Sequence, residues 1–220
     1  MNDNKFRCAW PGSDEIMIQY HDEEWGVPVH DDLIWFEFIV LDAFQAGLSW
    51  KTVLHKREAF RQVFYGFDPV KVAIMSDKER ENARQNPAII RNRLKIRATV
   101  KNAMAFLKVQ EKWGSFDSFI WSFTNGKIIH NSWRDLKDIP ASTPLSDEVS
   151  KALKKEGFSF VGSTICYALL QASGVVKDHL AHCFRYKELI SADRTGSNNS
   201  FPTCSETRDI SNILKYQVNF

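Results

Sequence analysis

The sequence predicts an all-α protein, and three observations carry that prediction. Apolar residues recur at helical spacing, capping residues stand in front of those stretches, and glycines close them. Only Lys127–Ile129 reads as a strand. The 220 residues, 44% of them apolar, suffice for one globular domain with a core, with or without a tail.

The elements follow in order. Asp31 and Asp32 precede Leu33, Phe36, Ile39, Val40 and Ala43, a helical stripe that ends near Gly47. Ser49 is placed to cap a helix carrying Val53, Leu54, Phe60, Val63 and Phe64. Asp68 before Pro69 is a cap with proline at the first helical position, opening Val70–Met75. Ser76 with Glu79 forms a capping box for another short helix. After Pro87 comes the longest pattern, with Ile89, Ile90, Ile96, Val100, Ala103 and Leu107 facing inward. Ser146 opens a helix through Lys155 with Gly157 as its C-terminal cap, and Ser163 opens the next, Thr164–Ala172, closed by Gly174. From about Ser191 to Arg208 the chain is rich in Ser, Thr, Asn, Asp and Gly. Residues 187–220 are therefore expected to be a loosely held polar tail, with a short helix at Ile210–Tyr216.

Composition narrows the setting. No apolar run is long enough to span a membrane, and Met1–Lys5 lacks a signal-peptide pattern. Cys8, Cys166, Cys183 and Cys204 show no dense disulfide spacing, so a reducing cytoplasm is expected. The net charge is only +2, so an anionic partner must be met by a local patch.

Three groups of residues suggest chemistry. Cys8 and His21 lie near one end and His179 and Cys183 near the other, the second pair spaced to share one face of a helix. Two thiolates and two imidazoles make the tetrahedral set preferred by structural zinc, with no position left for a catalytic water. The competing reading is four unrelated core and surface residues. Trp10, Tyr20 and Trp25 cluster around the first pair, with Trp50 further on; flat rings beside a carboxylate suit a flat, cationic ring, or simply pack the core. Between the helices ending at Gly157 and starting at Ser163, a tight hairpin leaves N–H groups free to grip a phosphate. Lys151, Lys154, Lys155, Arg91, Arg93, Lys95, Arg97, Lys101, Lys51, Lys56, Arg57 and Arg61 surround it as solvated helix faces or as a DNA-facing surface.

Cys8-Ala9-Trp10, Tyr20-His21-Asp22-Glu23-Glu24-Trp25-Gly26, Gln45-Ala46-Gly47-Leu48-Ser49-Trp50 and Gly157-Phe158-Ser159-Phe160-Val161-Gly162-Ser163-Thr164 stand in a consistent order with Asp178-His179. With these stretches the chain resembles the DNA-3-methyladenine glycosylase I family, over roughly residues 6–186. The resemblance implies a helix-hairpin-helix glycosylase domain over residues 1–186, with a structural zinc on Cys8, His21, His179 and Cys183. It implies a base pocket of Tyr20, Trp50 and a carboxylate as the catalytic set, with Trp10 and Trp25 nearby. Phe160, Val161, Gly162 and Ser163 would clamp the DNA backbone. The family's usual glutamate falls at Asp42, shorter by about 1.5 Å, and Ala43 and Phe44 differ from the family's small polar residues. Thr164 stands near the position of a lyase lysine and Lys177 at that of a catalytic aspartate, so lyase chemistry is not expected and Asp178 reads as structural.

The expected activity is hydrolysis of the N-glycosidic bond of 3-methyladenine in double-stranded alkylated DNA, by a monomer that releases the free base. The alternatives are a zinc-stabilised DNA-binding module with lost or redirected activity, and a glycosylase for another alkylated purine. A zinc hydrolase is disfavoured because four protein ligands close the metal's coordination.

Overall fold

In a computed structural model, residues 5–195 are described and are mostly helical. Asp14 accepts the Met17 N–H and opens α1 (Glu15–Glu23), and Asp31 accepts the Leu33 N–H and opens α2 (Asp32–Gln45). α2 is buried without interruption from Trp35 to Phe44, which makes it the central column rather than a surface helix. Against it pack α3 (Trp50–Leu54), α7 (Arg93–Trp113), α8 (Phe116–Ser122) and α10 (Ser163–Ala172). α5 (Pro69–Ala73) and α6 (Asp77–Gln85) lie on α7, while α9 (Pro144–Lys155) pairs with α10. Phenylalanines fill the centre: Phe44 tilts on Phe60 at 4.5 Å and Phe106 stacks on Phe116 at 4.4 Å.

The caps at Asp68–Pro69 and Ser76–Glu79 form as the sequence predicts. Elsewhere the structure differs. The helix expected from Ser49 through Phe64 is two, α3 and α4 (Arg57–Val63), because the ladder breaks at His55–Lys56 and lets Phe60 and Phe64 meet Phe44. α7 starts at Arg93, with Asn92 capping the Lys95 N–H. α9 starts at Pro144, and Ser146 is the third residue of a box capped by Thr143. The strand expected at Lys127–Ile129 forms instead at Ile129–His130, paired in parallel with Val176–Lys177.

The tail expected from residue 187 begins inside a helix, since α11 runs Phe184–Thr195. Its Leu189 is buried, and Asp193 accepts from the buried Lys177 ammonium at 2.5 Å. Residues 196–220, with Cys204 and the helix expected at Ile210–Tyr216, lie outside the described residues. Among the described residues no helix is long and apolar enough to cross a membrane.

One close approach positions the site. Gly174, at φ +68, follows α10, and a Cβ there would sit 2.5 Å from Pro28 N and Val27 C. Val29 N–H donates to Ser173 O at 3.0 Å and Gly26 N–H to Ala172 O at 3.4 Å, so residues 26–29 are laid along the end of α10. That brings Trp25 over α10.

Candidate active site

A cleft of about 540 Å³ opens between α1, α2, α3 and α10. Trp10, Tyr20, Trp25, Asp42 and Trp50 all line it, so the sequence-predicted aromatic and acidic residues meet in one place. Tyr20 comes from the buried face of α1 and Asp42 from the inner end of α2. Trp50 is the first residue of α3, placed by the Ser49 cap on Thr52. The Tyr20 and Trp50 rings lie 5.2 Å apart at 50°, and Trp10 meets Trp25 edge-on at 5.3 Å. The opening is therefore walled by aromatic faces with a carboxyl at its floor.

The polar atoms there are under-satisfied. Asp42 Oδ2 and Trp50 Nε1 are buried and have no hydrogen-bond partner within the protein. Groups left this way in a folded interior are expensive unless a ligand completes them. Burial pushes the Asp42 carboxyl well above the usual carboxylate range. Burial, and then the neighbouring Asp42 charge, hold the Tyr20 phenol protonated well beyond its ordinary value. Burial thus favours the neutral form of the carboxyl on the floor of the cleft, whereas a cation beside it would favour the charged form.

Behind the cleft, the side chains of Cys8, His21, His179 and Cys183 converge, all buried, with their donor atoms within 4.8 Å of one another. Cys8 Sγ lies 3.8 Å from His179 Nδ1, Cys183 Sγ 3.6 Å from the same atom, and Cys183 Sγ 3.5 Å from His21 Nε2. Tetrahedral zinc with Zn–S near 2.3 Å and Zn–N near 2.05 Å has S···N edges of about 3.6 Å, so the donor set fits. Each imidazole is oriented from behind: His21 Nδ1 meets Asp22 at 2.8 Å, itself gripped by Arg7, and His179 Nε2 donates to Trp25 O at 2.9 Å.

The helical placement expected for His179 and Cys183 is not what forms. Residues 178–183 are a turn, closed by Cys183 N–H to Leu180 O at 2.7 Å. The chain is held out of a helical path by Asp178, which accepts from Asn131, Trp133, Tyr167 and Gln171 at 2.5–2.8 Å. Asp178 is saturated and sealed from the cleft, hence structural. Lys177 is likewise buried and committed to Asp193.

Phe160, Val161 and Gly162 lie in the turn between α9 and α10, and Ser163 is the first residue of α10. Phe160 has φ +57 and is partly exposed, and Val161 is buried with its carbonyl held by Ser150 Oγ at 2.6 Å. Gly162 caps α10 with no side chain, so the first N–H groups of the helix have no local acceptor. Burial pushes the Cys166 thiol beneath this turn up to about 12, so it is unreactive.

The basic residues separate into two sets. Lys51 pairs with Asp14, Lys56 donates to Ala88 O, Arg57 and Arg61 hold Glu37, and Lys95 is buried against the carbonyls of Phe44 and Ala46. These hold the fold together. Arg93, Arg97 and Lys101 on α7, and Lys151, Lys154 and Lys155 beside the α9–α10 turn, remain exposed.

Sequence reasoning missed Met17, Gln45, Lys51, Leu136, Ile139, Ala168, Gln171 and Ala172 on the cleft wall. Ala168, Gln171 and Ala172 stand at i, i+3 and i+4 of the helix expected from Ser163, so their shared face was legible once that helix was drawn. Leu136 and Ile139 come from an irregular segment and left no periodic signal.

A family profile described as methyladenine glycosylase matches residues 10–186. The chain is 49% identical to the DNA-3-methyladenine glycosylase of Haemophilus influenzae over 80% of its length and 96% of that protein. It is also 49% identical to DNA-3-methyladenine glycosylase 1 of Escherichia coli, over 82% of its length and 96% of the relative. Among solved structures, a 3-methyladenine DNA glycosylase I crystal structure superposes with a TM-score of 0.79 at 49% identity, covering 81% of this chain and 98% of the other. A second, solved in complex with 3-methyladenine, superposes with a TM-score of 0.79 at 35% identity, covering 81% and 96% of the two chains. The chain belongs to the methyladenine glycosylase family.

Proposed function

We infer that this protein is a DNA-3-methyladenine glycosylase of base excision repair, a hydrolase that cuts the N-glycosidic bond of the alkylated base. The observation that carries this is the single cleft shared by Trp50, Tyr20 and Asp42, with unpartnered polar atoms on Asp42 and Trp50. Methylation at N3 makes the base a cation and a good leaving group, so the protein's task is to hold an everted base rather than to protonate it. In this scheme Trp50 stacks on the base, and Tyr20, whose ring lies 5.2 Å from that of Trp50 and tilted by 50°, meets the base's polar edge. Asp42 loses its proton to solvent as the cationic base enters, and its carboxylate accepts from the exocyclic amino group, where guanine presents an oxygen instead. Water adds to the sugar carbon as the bond to the base breaks, the base leaves neutral, and the water's second proton passes to solvent.

The α9–α10 pair serves as a helix-hairpin-helix, its turn at Phe160–Ser163 offering free N–H groups to a DNA phosphate. Cys8, His21, His179 and Cys183 would hold a structural zinc, whose chemistry here is to lock four donors in place. Because the cleft and the turn belong to one chain, the enzyme is proposed to act as a monomer on double-stranded alkylated DNA, and its buried free cysteines suit a reducing cytoplasm. Incubation with methylated duplex followed by analysis of released bases tests the assignment. Free 3-methyladenine is expected from the native sequence and its near-complete loss from Trp50→Ala and Asp42→Ala. No release above those two variants overturns it.

A further inference from the structure

Separate from the cleft, α6 and α7 enclose a second concavity of about 390 Å³, lined by Asp77, Arg80, Glu81, Arg84, Arg93, Ile96 and Arg97. Its charges do not cancel. Arg80 is paired with Asp77 and also donates to Met75 O at 2.6 Å, while Arg84 forks onto Glu81 at 2.5 and 2.8 Å. Both carboxylates are thus spoken for by their own helix. Arg93 and Arg97, one turn apart on α7, are exposed and have no ion-pair partner among the described residues. Arg93 also acts on the Glu81 charge across the groove, yet four guanidiniums face two carboxylates there, and that excess makes an anion site.

The groove also points somewhere. Arg93, Arg97 and Lys101 recur every four residues, so they form one stripe along α7 with a charge about every 6 Å. The stripe ends beside Asn102, whose carboxamide accepts from Ser159 N at 2.8 Å and donates to Ser159 O at 3.0 Å. Ser159 immediately precedes the Phe160–Ser163 turn. At the other end, Lys95 of the same helix supports the carbonyls of Phe44 and Ala46 next to the cleft lip. Helix α7 therefore runs from the lip of the cleft to the back of the turn, with its free cations on one exposed side. A flexible or mobile small anion has no need of such a row; a polymer with evenly spaced phosphates does.

We propose that the α6/α7 groove, with Arg93 and Arg97, is a second phosphate-binding site that holds the backbone of duplex DNA flanking the lesion, reached from the α9–α10 turn through Lys101. The proposal rests on the glycosylase assignment. It is tested with a duplex of roughly 20 base pairs carrying a central abasic analogue, against the native protein and the Arg93→Gln/Arg97→Gln variant. Affinity is measured across a KCl series, alongside free 3-methyladenine binding followed by tryptophan fluorescence and base release from methylated DNA. The expected result is a log–log salt slope shallower by about 1.8 in the variant, some 0.9 per lost contact, with free-base binding unchanged. An unchanged slope overturns the proposal. So does inorganic phosphate that binds the native protein and not the variant yet leaves native DNA affinity untouched at fixed ionic strength, because the groove then serves a free anion. Failure of the native protein to release any base is a different outcome, which removes the glycosylase assignment itself.

Discussion

Asp42 is a carboxyl on a buried floor, with one oxygen unpartnered and its proton held well above the ordinary value of 3.8. The sign of its effect on stability follows. Above pH 3.8 the unfolded chain has released a proton that the folded protein keeps, so folding binds protons and stability falls as pH rises. Asp42→Asn removes that liability. The variant is expected to be more stable than the native protein by about 1–3 kcal/mol at pH 7, with the difference closing as pH falls towards 3.8 in thermal melts. Base release by the same variant should drop by roughly 10–100-fold, since an amide cannot ionise against a cationic base. Asp42 was legible only through the resemblance, because nothing in its own neighbourhood, Leu41-Asp42-Ala43, distinguishes a pocket acid from a helix acid. Gln171 escaped notice because a glutamine on a helix carries no spacing signal of its own, and here it is bound to Asp178.

Among the elements, those announced by caps were readable and those without periodicity were not. Asp68–Pro69 and Ser76–Glu79 form as local chemistry requires, since each satisfies backbone donors within a few residues. α1 was read for its chemistry alone and α8 was not read as an element, so neither was drawn as a helix. The turn at 178–183 defeated a helical reading of its i, i+4 pair because Asp178 answers to four distant partners, which no local pattern reports. α11 extends past the polar boundary because Leu189 and Asp193 find tertiary partners in an otherwise hydrophilic stretch. Gly174 shows how tightly elements depend on one another. Gly174→Ala places a methyl against Val27 and Pro28 backbone that cannot swing aside, at a φ that side chains avoid. A loss of at least about 3 kcal/mol is expected by chemical denaturation, together with weaker free-base binding as Trp25 is displaced.

At the scale of the whole molecule, the four-ligand cluster ties residue 8 to residue 183 and sets α1 against the turn before α11. If it holds zinc, binding free energy is folding free energy. Cys183→Ser should then lower metal content by elemental analysis and lower the melting temperature. Added chelator should destabilise the native protein markedly and the variant little. An equal response from both would show that the cluster stands on packing alone.

The cluster also imposes an order in time. Tyr20 takes its place on the cleft wall as the neighbour of His21, yet Cys183, which meets the other nitrogen of His21, is not synthesised until some 160 residues later. At ordinary translation speeds that interval is on the order of ten seconds or more. A nascent chain on the ribosome therefore has an unfinished cleft until Cys183 has emerged and docked.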